Sequence, residues 1–137
     1  MILSAFHLEY PQQSELAKLL HTDRDGTSFE DIATVLKGYG IYPEQSYYLT
    51  YESLYQLRKR DDGPILLHWW DDRKKPADGH YSMLISMTPK ELTLADPWTG
   101  RKIKLSRQFW DLHWKDTANP ERDGAYWGWC AKFIKFE

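Results

Sequence analysis

The sequence carries a single cysteine, Cys130, in 137 residues. One thiol excludes an intrachain disulfide framework and any metal site built from several cysteines, and the simple expectation is a reducing, cytoplasmic setting. An excess of one charge is also missing: 18 Lys and Arg against 20 Asp and Glu leave a formal net charge of −2. That speaks against a nucleic-acid binder drawn in by a basic field. No apolar run reaches the ~20 residues that a membrane-spanning helix needs. The opening MILSAFHLEY has no basic stretch ahead of a long apolar core, so neither a membrane span nor a signal peptide is expected. Repeats and low-complexity linkers are absent. No tight ligand spacing such as HExxH occurs, so neither a metal nor a cofactor is expected. At this length one domain over 1–137, with one core, is the expectation.

Aromatic residues, in contrast, are abundant at 15%, with seven tryptophans gathered in the second half. Large rings of this kind fill a core and its rim, or they line a groove that grips an extended peptide. For the second reading the candidates are Trp69, Trp70 and Trp98, together with the loop 71–79.

The first half reads helical. ILSAFHLE (2–9) and QQSELAKLL (12–20) each carry apolar residues on one side, and Pro11 separates them. In TSFEDIATVLKGYG, Thr27 and Glu30 fit a capping box, Phe29, Ile32, Val35 and Leu36 form a stripe, and Gly38 or Gly40 ends the helix. A short extended piece, SYYL, follows Pro43. YESLYQLRKR then reads as a helix whose basic end suits the macrodipole and whose Arg58-Lys59-Arg60 run is a solvated face.

The period changes after Pro64. PILLHWW (64–70) is a buried strand, DDRKKPADG a polar loop, and HYSMLISM (80–87) and ELTLAD (91–96) a hairpin joined across Thr88-Pro89-Lys90. RKIKL (101–105) alternates, Ser106 caps a helix with Phe109, Trp110 and Leu112, and YWGWCAKFIKF (126–136) alternates again. Helices first and a mostly antiparallel sheet afterwards make an α+β chain.

His80 opens one hairpin strand and Asp96 closes the next. A three-residue connection pairs Met87 with Glu91 and sets Asp96 opposite Ser82. His80 and Asp96 are then diagonal neighbours, ~7–8 Å apart along the backbone and within side-chain reach. A two-residue connection puts them on opposite faces. If they meet, the carboxylate holds the imidazole in one tautomer and favours its charged form, as in the base-and-orienter half of a nucleophilic triad. The alternative is a surface histidine beside an ordinary Asp-Pro turn. His68, at the end of the preceding strand, is close enough in sequence to join His80 and Asp96 at a zinc ion, although no spacing motif supports it. His7, His21 and His113 show no partner in the sequence, and Cys130, in an alternating strand, reads as a small buried apolar residue.

LLHTDRDGTSFEDIATVLKGYGI (19–41), PILLHWW, GHYSMLI (79–85) and ADPWTGRKIKLSRQFWDLHW (95–114) together resemble the papain-like cysteine peptidases of the bacteriocin-processing type, which cut leader peptides after a double glycine. The resemblance implies a papain-like α+β fold, His80 as the catalytic histidine and Asp96 as its partner. It also implies a cysteine at the start of the first helix with an oxyanion-hole glutamine just before it, where a helix N-terminus lowers the thiol's pKa. The matching helix here is ILSAFHLEY, and the position for that cysteine falls at or just before Met1. Ser4 lies about one turn too late to replace it, at ~3.6 residues per turn. Three readings stay open. One is a degenerate domain that binds a peptide or protein segment without cleaving it, in a groove walled by the first helix and the sheet. Another is an active thiol peptidase whose nucleophile lies upstream of Met1. The third is an interaction or immunity-type protein on the same scaffold.

Overall fold

The computed structural model describes residues 28–60, 63–73, 78–96, 101–115 and 127–135. The helices expected over 2–9 and 12–20, Ser4, His7, His21 and Trp98 lie outside them. The first described helix, α1 (Phe29–Lys37), starts one residue later than the Thr27 cap expected. Ser28 holds extended backbone angles, its Oγ accepts from the Asp31 amide at 3.2 Å, and it donates to Asp31 Oδ2 at 2.9 Å. The reciprocal cap therefore uses the shorter acid at 31 rather than Glu30.

Strand β1 (Ile41–Ser46) follows, and Pro43 lies inside it rather than ahead of it. A proline is tolerated there because β1 is an edge strand, where a missing amide donor breaks no inner ladder. Helix α2 (Tyr51–Arg60) leads to β2 (Ile65–Asp71), β3 (Asp78–Met87), β4 (Glu91–Ala95) and β5 (Lys102–Ser106). Helix α3 (Arg107–His113) is capped by Ser106, whose Oγ accepts from the Phe109 amide, and β6 (Cys130–Lys135) closes the described chain. The sheet order is β1-β6-β2-β3-β4-β5, and every neighbouring pair is antiparallel.

Alternation along the strands sends side chains to two cores. Leu67 and Trp69 of β2, Leu84 of β3, Leu92 and Leu94 of β4 and Cys130 of β6 pack under Tyr51 and Leu54 of α2 and Trp110 of α3. On the other face, Leu66, Met83, Ala131, Phe133 and Trp129 meet Leu36 of α1. The final strand is shorter than its alternating sequence suggests. Trp127 makes only an isolated bridge to Lys115, and Gly128 turns the chain at φ 65°, so that regular pairing begins at Cys130. At this crossing the Leu49 amide donates to Gly128 O and the Gly128 amide donates to Trp114 O, both at 3.0 Å.

The β3–β4 hairpin departs from expectation twice, and the two departures cancel. Met87 pairs with Leu92, not Glu91, so the connection is one residue longer. The register then shifts between Leu84 and Ser86, leaving Ile85 as an extra residue, and Leu84 pairs with Leu94 and Met83 with Ala95. Arg58 is not simply solvated. Its guanidinium donates to Gly63 O at 3.0 Å and approaches Leu84 O, beside the bulge, at 3.5 Å. Tyr51 reaches the same hairpin, donating its hydroxyl to Thr88 O at 2.7 Å. Among the described residues no helix is long and apolar enough to cross a membrane.

Candidate functional site

His80 stands directly across from Trp69 in the β2–β3 ladder, and so on the face that carries Ser82 and Leu84. Leu94 lies across from Leu84 on that face. Asp96, two residues beyond Leu94 and one step past the last pair, shares it. The backbone thus brings the two sequence-predicted residues to one face of adjacent strands, diagonal to each other. Asp96 continues toward β5, its amide donating to Arg101 O at 2.9 Å.

A second acid reaches the imidazole. Asp71, assigned by sequence to a polar loop, is the last residue of β2 and is only 3% exposed. Its Oδ2 lies 3.9 Å from His80 Nε2. Arg73 grips the same carboxylate: Nε donates to Oδ1 at 2.9 Å, a terminal nitrogen donates to Oδ2 at 3.2 Å, and the Arg73 amide donates to Oδ1 at 3.0 Å. These hydrogen bonds hold the Asp71 carboxyl below the usual carboxylate range, against the opposing effect of burial, and the nearby His80 adds to the lowering. A depressed carboxyl contributes stability above its unfolded pKa and loses it as pH falls through the folded value. The strand parity is the one sequence feature that points to Asp71, and it does not by itself show the burial. Leu67, Trp69 and Asp71 share one strand parity, and the first two are core residues.

The rim of the site is aromatic. The Trp69 ring sits 5.5 Å from the His80 ring, and its Nε1 donates to Ser82 Oγ at 3.0 Å. The Arg73 guanidinium lies over both Trp69 and Phe109, at 5.5 and 5.0 Å. Phe109 stacks on His113 at 3.8 Å, and His113, which showed no partner in the sequence, faces Asp72 Oδ1 across 2.9 Å. The end of β2 and the residues just after it are therefore tied to α3 twice, through Arg73 and through Asp72.

Of the expected groove tryptophans, the two described ones, Trp69 and Trp70, do not form one wall. Trp69 is 3% exposed, so its indole is core rather than a groove surface. Trp70 is half-buried and alternates to the opposite face. His68 also faces away from His80, stacking on Tyr81 at 4.4 Å, so His68, His80 and Asp96 do not converge on one point. Among the described residues no group of three His, Cys, Asp or Glu side chains is placed to hold a metal ion.

Cys130 lies on β6, with all of β2 between it and β3. Two strand spacings amount to about 10 Å, too far for the imidazole to take its proton directly. Burial pushes the thiol up to about 11. A maleimide at pH 8 is therefore expected to label native Cys130 about 100-fold more slowly than the urea-unfolded chain, as followed by mass spectrometry. Equal rates would contradict this placement.

Residues 1–118 match the peptidase C39 family. The chain belongs to that family, the double-glycine leader peptidases, and has its papain-like α+β fold. One similar solved structure is described as a double glycine motif protease from the AMS/PCAT transporter in complex with the leader peptide. It is 17% identical, with a TM-score of 0.60 over 99% of this chain and 79% of that one. Another is the peptidase domain of Streptococcus ComA, a bifunctional ABC transporter involved in quorum sensing, at 14% identity and a TM-score of 0.67 over 98% and 85%. No curated protein matches the chain.

Proposed function

We propose that this chain binds a leader-type peptide segment at the face carrying His80 and Asp96, and does not itself cut it. The observation that carries this reading is the state of the chain's one cysteine. Cys130 is buried in the sheet, its thiol is held neutral by desolvation, and it stands two strands away from the imidazole. An imidazole beside a carboxylate can still donate a hydrogen bond to a peptide carbonyl, and the retained face would serve recognition. A solved member of the same fold was captured with its leader peptide, which supports a peptide as the ligand class.

A second reading is favoured by the register. His80 and Asp96 share one face of adjacent strands, as a thiol peptidase with a nucleophile carried outside these 137 residues would require. One experiment separates the two. The 137-residue chain is mixed with a fluorescent peptide ending in a double-glycine leader junction, anisotropy reads binding, and mass spectrometry reads cleavage. Binding without product is expected, weakened about five- to tenfold in His80→Ala through loss of one charge-assisted hydrogen bond. Cleavage by this chain, or no binding at all, overturns the proposal.

A further inference from the structure

Each strand beside His80 carries an acid at a diagonal position. Asp96 lies one step past the last β3–β4 pair, toward Ser82, and Asp71 lies on β2 across from Asp78, in the opposite direction along the strand. Their settings differ. Asp71 is almost wholly buried, its carboxylate takes three hydrogen bonds from Arg73, and one of its oxygens lies 3.9 Å from His80 Nε2. Arg73 is in turn packed over Trp69 and Phe109, so the acid is held from the core outward.

We propose that Asp71 is a positioning residue for His80: a second, buried carboxylate that faces the ring's Nε2 from beyond hydrogen-bond distance and stabilises its charged form through space. The inference rests on His80 being the imidazole of the functional face, as proposed above. A charged His80 serves either use of that face. It gives a bound peptide carbonyl a stronger donor, and it would keep an approaching thiol ionised.

The physical argument is geometric. A carboxylate about 4 Å from an imidazolium, at a site shielded by Trp69, acts in a medium less screening than water. Arg73 works against it in part, since its own positive charge opposes the imidazolium while it anchors the acid. The other titratable groups at this end of the sheet are Asp96, one step past β4, and the Asp72–His113 pair on the α3 side.

The test reads protonation and needs no peptide, so it stands whether or not the chain binds or cleaves one. The His80 ring Cε1–H resonance, assigned by its loss in His80→Gln, is titrated by NMR in the whole chain. In Asp71→Asn its midpoint is expected to fall by about one pH unit. An unchanged midpoint in a folded Asp71→Asn variant overturns the proposal. If that variant fails to fold, Arg73→Gln decides, because the Arg73 side chain is 44% exposed and its loss leaves the core filled. Stripping Asp71 of its counterion is expected to raise the His80 midpoint by roughly half a unit. No rise overturns the inference equally.

Discussion

Trp110→Ala is expected to destabilise the fold by about 3–5 kcal/mol, read as a drop in the urea midpoint at unchanged slope. Trp110 is fully buried and is the one residue of the short helix α3 in the buried core. Its ring lies 6.1 Å from Trp69 and 5.5 Å from Trp114, so removing it opens a cavity between the helix and the sheet on the face that carries His80. A seven-residue helix has little stability of its own and depends on that contact. Trp110→Phe is expected to cost less, about 1–2 kcal/mol. Most of the ring burial survives, and the indole Nε1, which has no hydrogen-bond partner among the described residues, is removed along with its desolvation cost. A Trp110→Ala loss below about 1 kcal/mol would mean that α3 is not held by this side chain.

Gly128→Ala is the second large effect, expected at roughly 2–5 kcal/mol. The residue sits at φ 65°, where a Cβ is already strained. An added Cβ would lie 2.5 Å from Leu49 O and 2.6 Å from Leu49 N, backbone atoms that cannot rotate aside. The same step carries the hydrogen bonds that join β6's approach to Leu49 and Trp114, so relief by moving the chain would break them. Gly38→Ala is the matched control. Its φ of −62° is right-handed and its nearest neighbour is Val35 O at 3.2 Å, so a change within about 1 kcal/mol is expected in the same melt. Equal losses at the two glycines would show that the crossing at Leu49 is not tight.

The sequence was legible where one side chain decided the local outcome. The Ser106 cap, the buried PILLHWW strand and the inert setting of Cys130 follow from single residues or from period-2 alternation, and the structure has them all. It was illegible where a second element decided. Pro43 lies within a strand because β1 is an edge, which only the sheet order reveals. Asp71 looked like the start of a loop because two acids and three basic residues follow Trp70 within five positions. Its burial depends on Arg73 folding back over Trp69 and Phe109, a contact with a helix 36 positions along the chain that spacing cannot show. Asp96 reached the face of His80 through two errors of opposite sign, a longer connection and a bulge, neither of which the residue pattern marks. His113 gained Asp72 by the same kind of long-range packing.

The unpaired Ile85 leaves the outer end of the β3–β4 ribbon out of phase with its inner end. A hairpin tip shortened by one residue can be accommodated by straightening the ribbon at that point, and His80 keeps its orientation. The same deletion between 79 and 84 has no such slack, and it would swing the imidazole through the sheet to the side where α1 packs. The tip is thus free to vary in length, while the half of the ribbon nearer β2's end is geared to the orientation of His80.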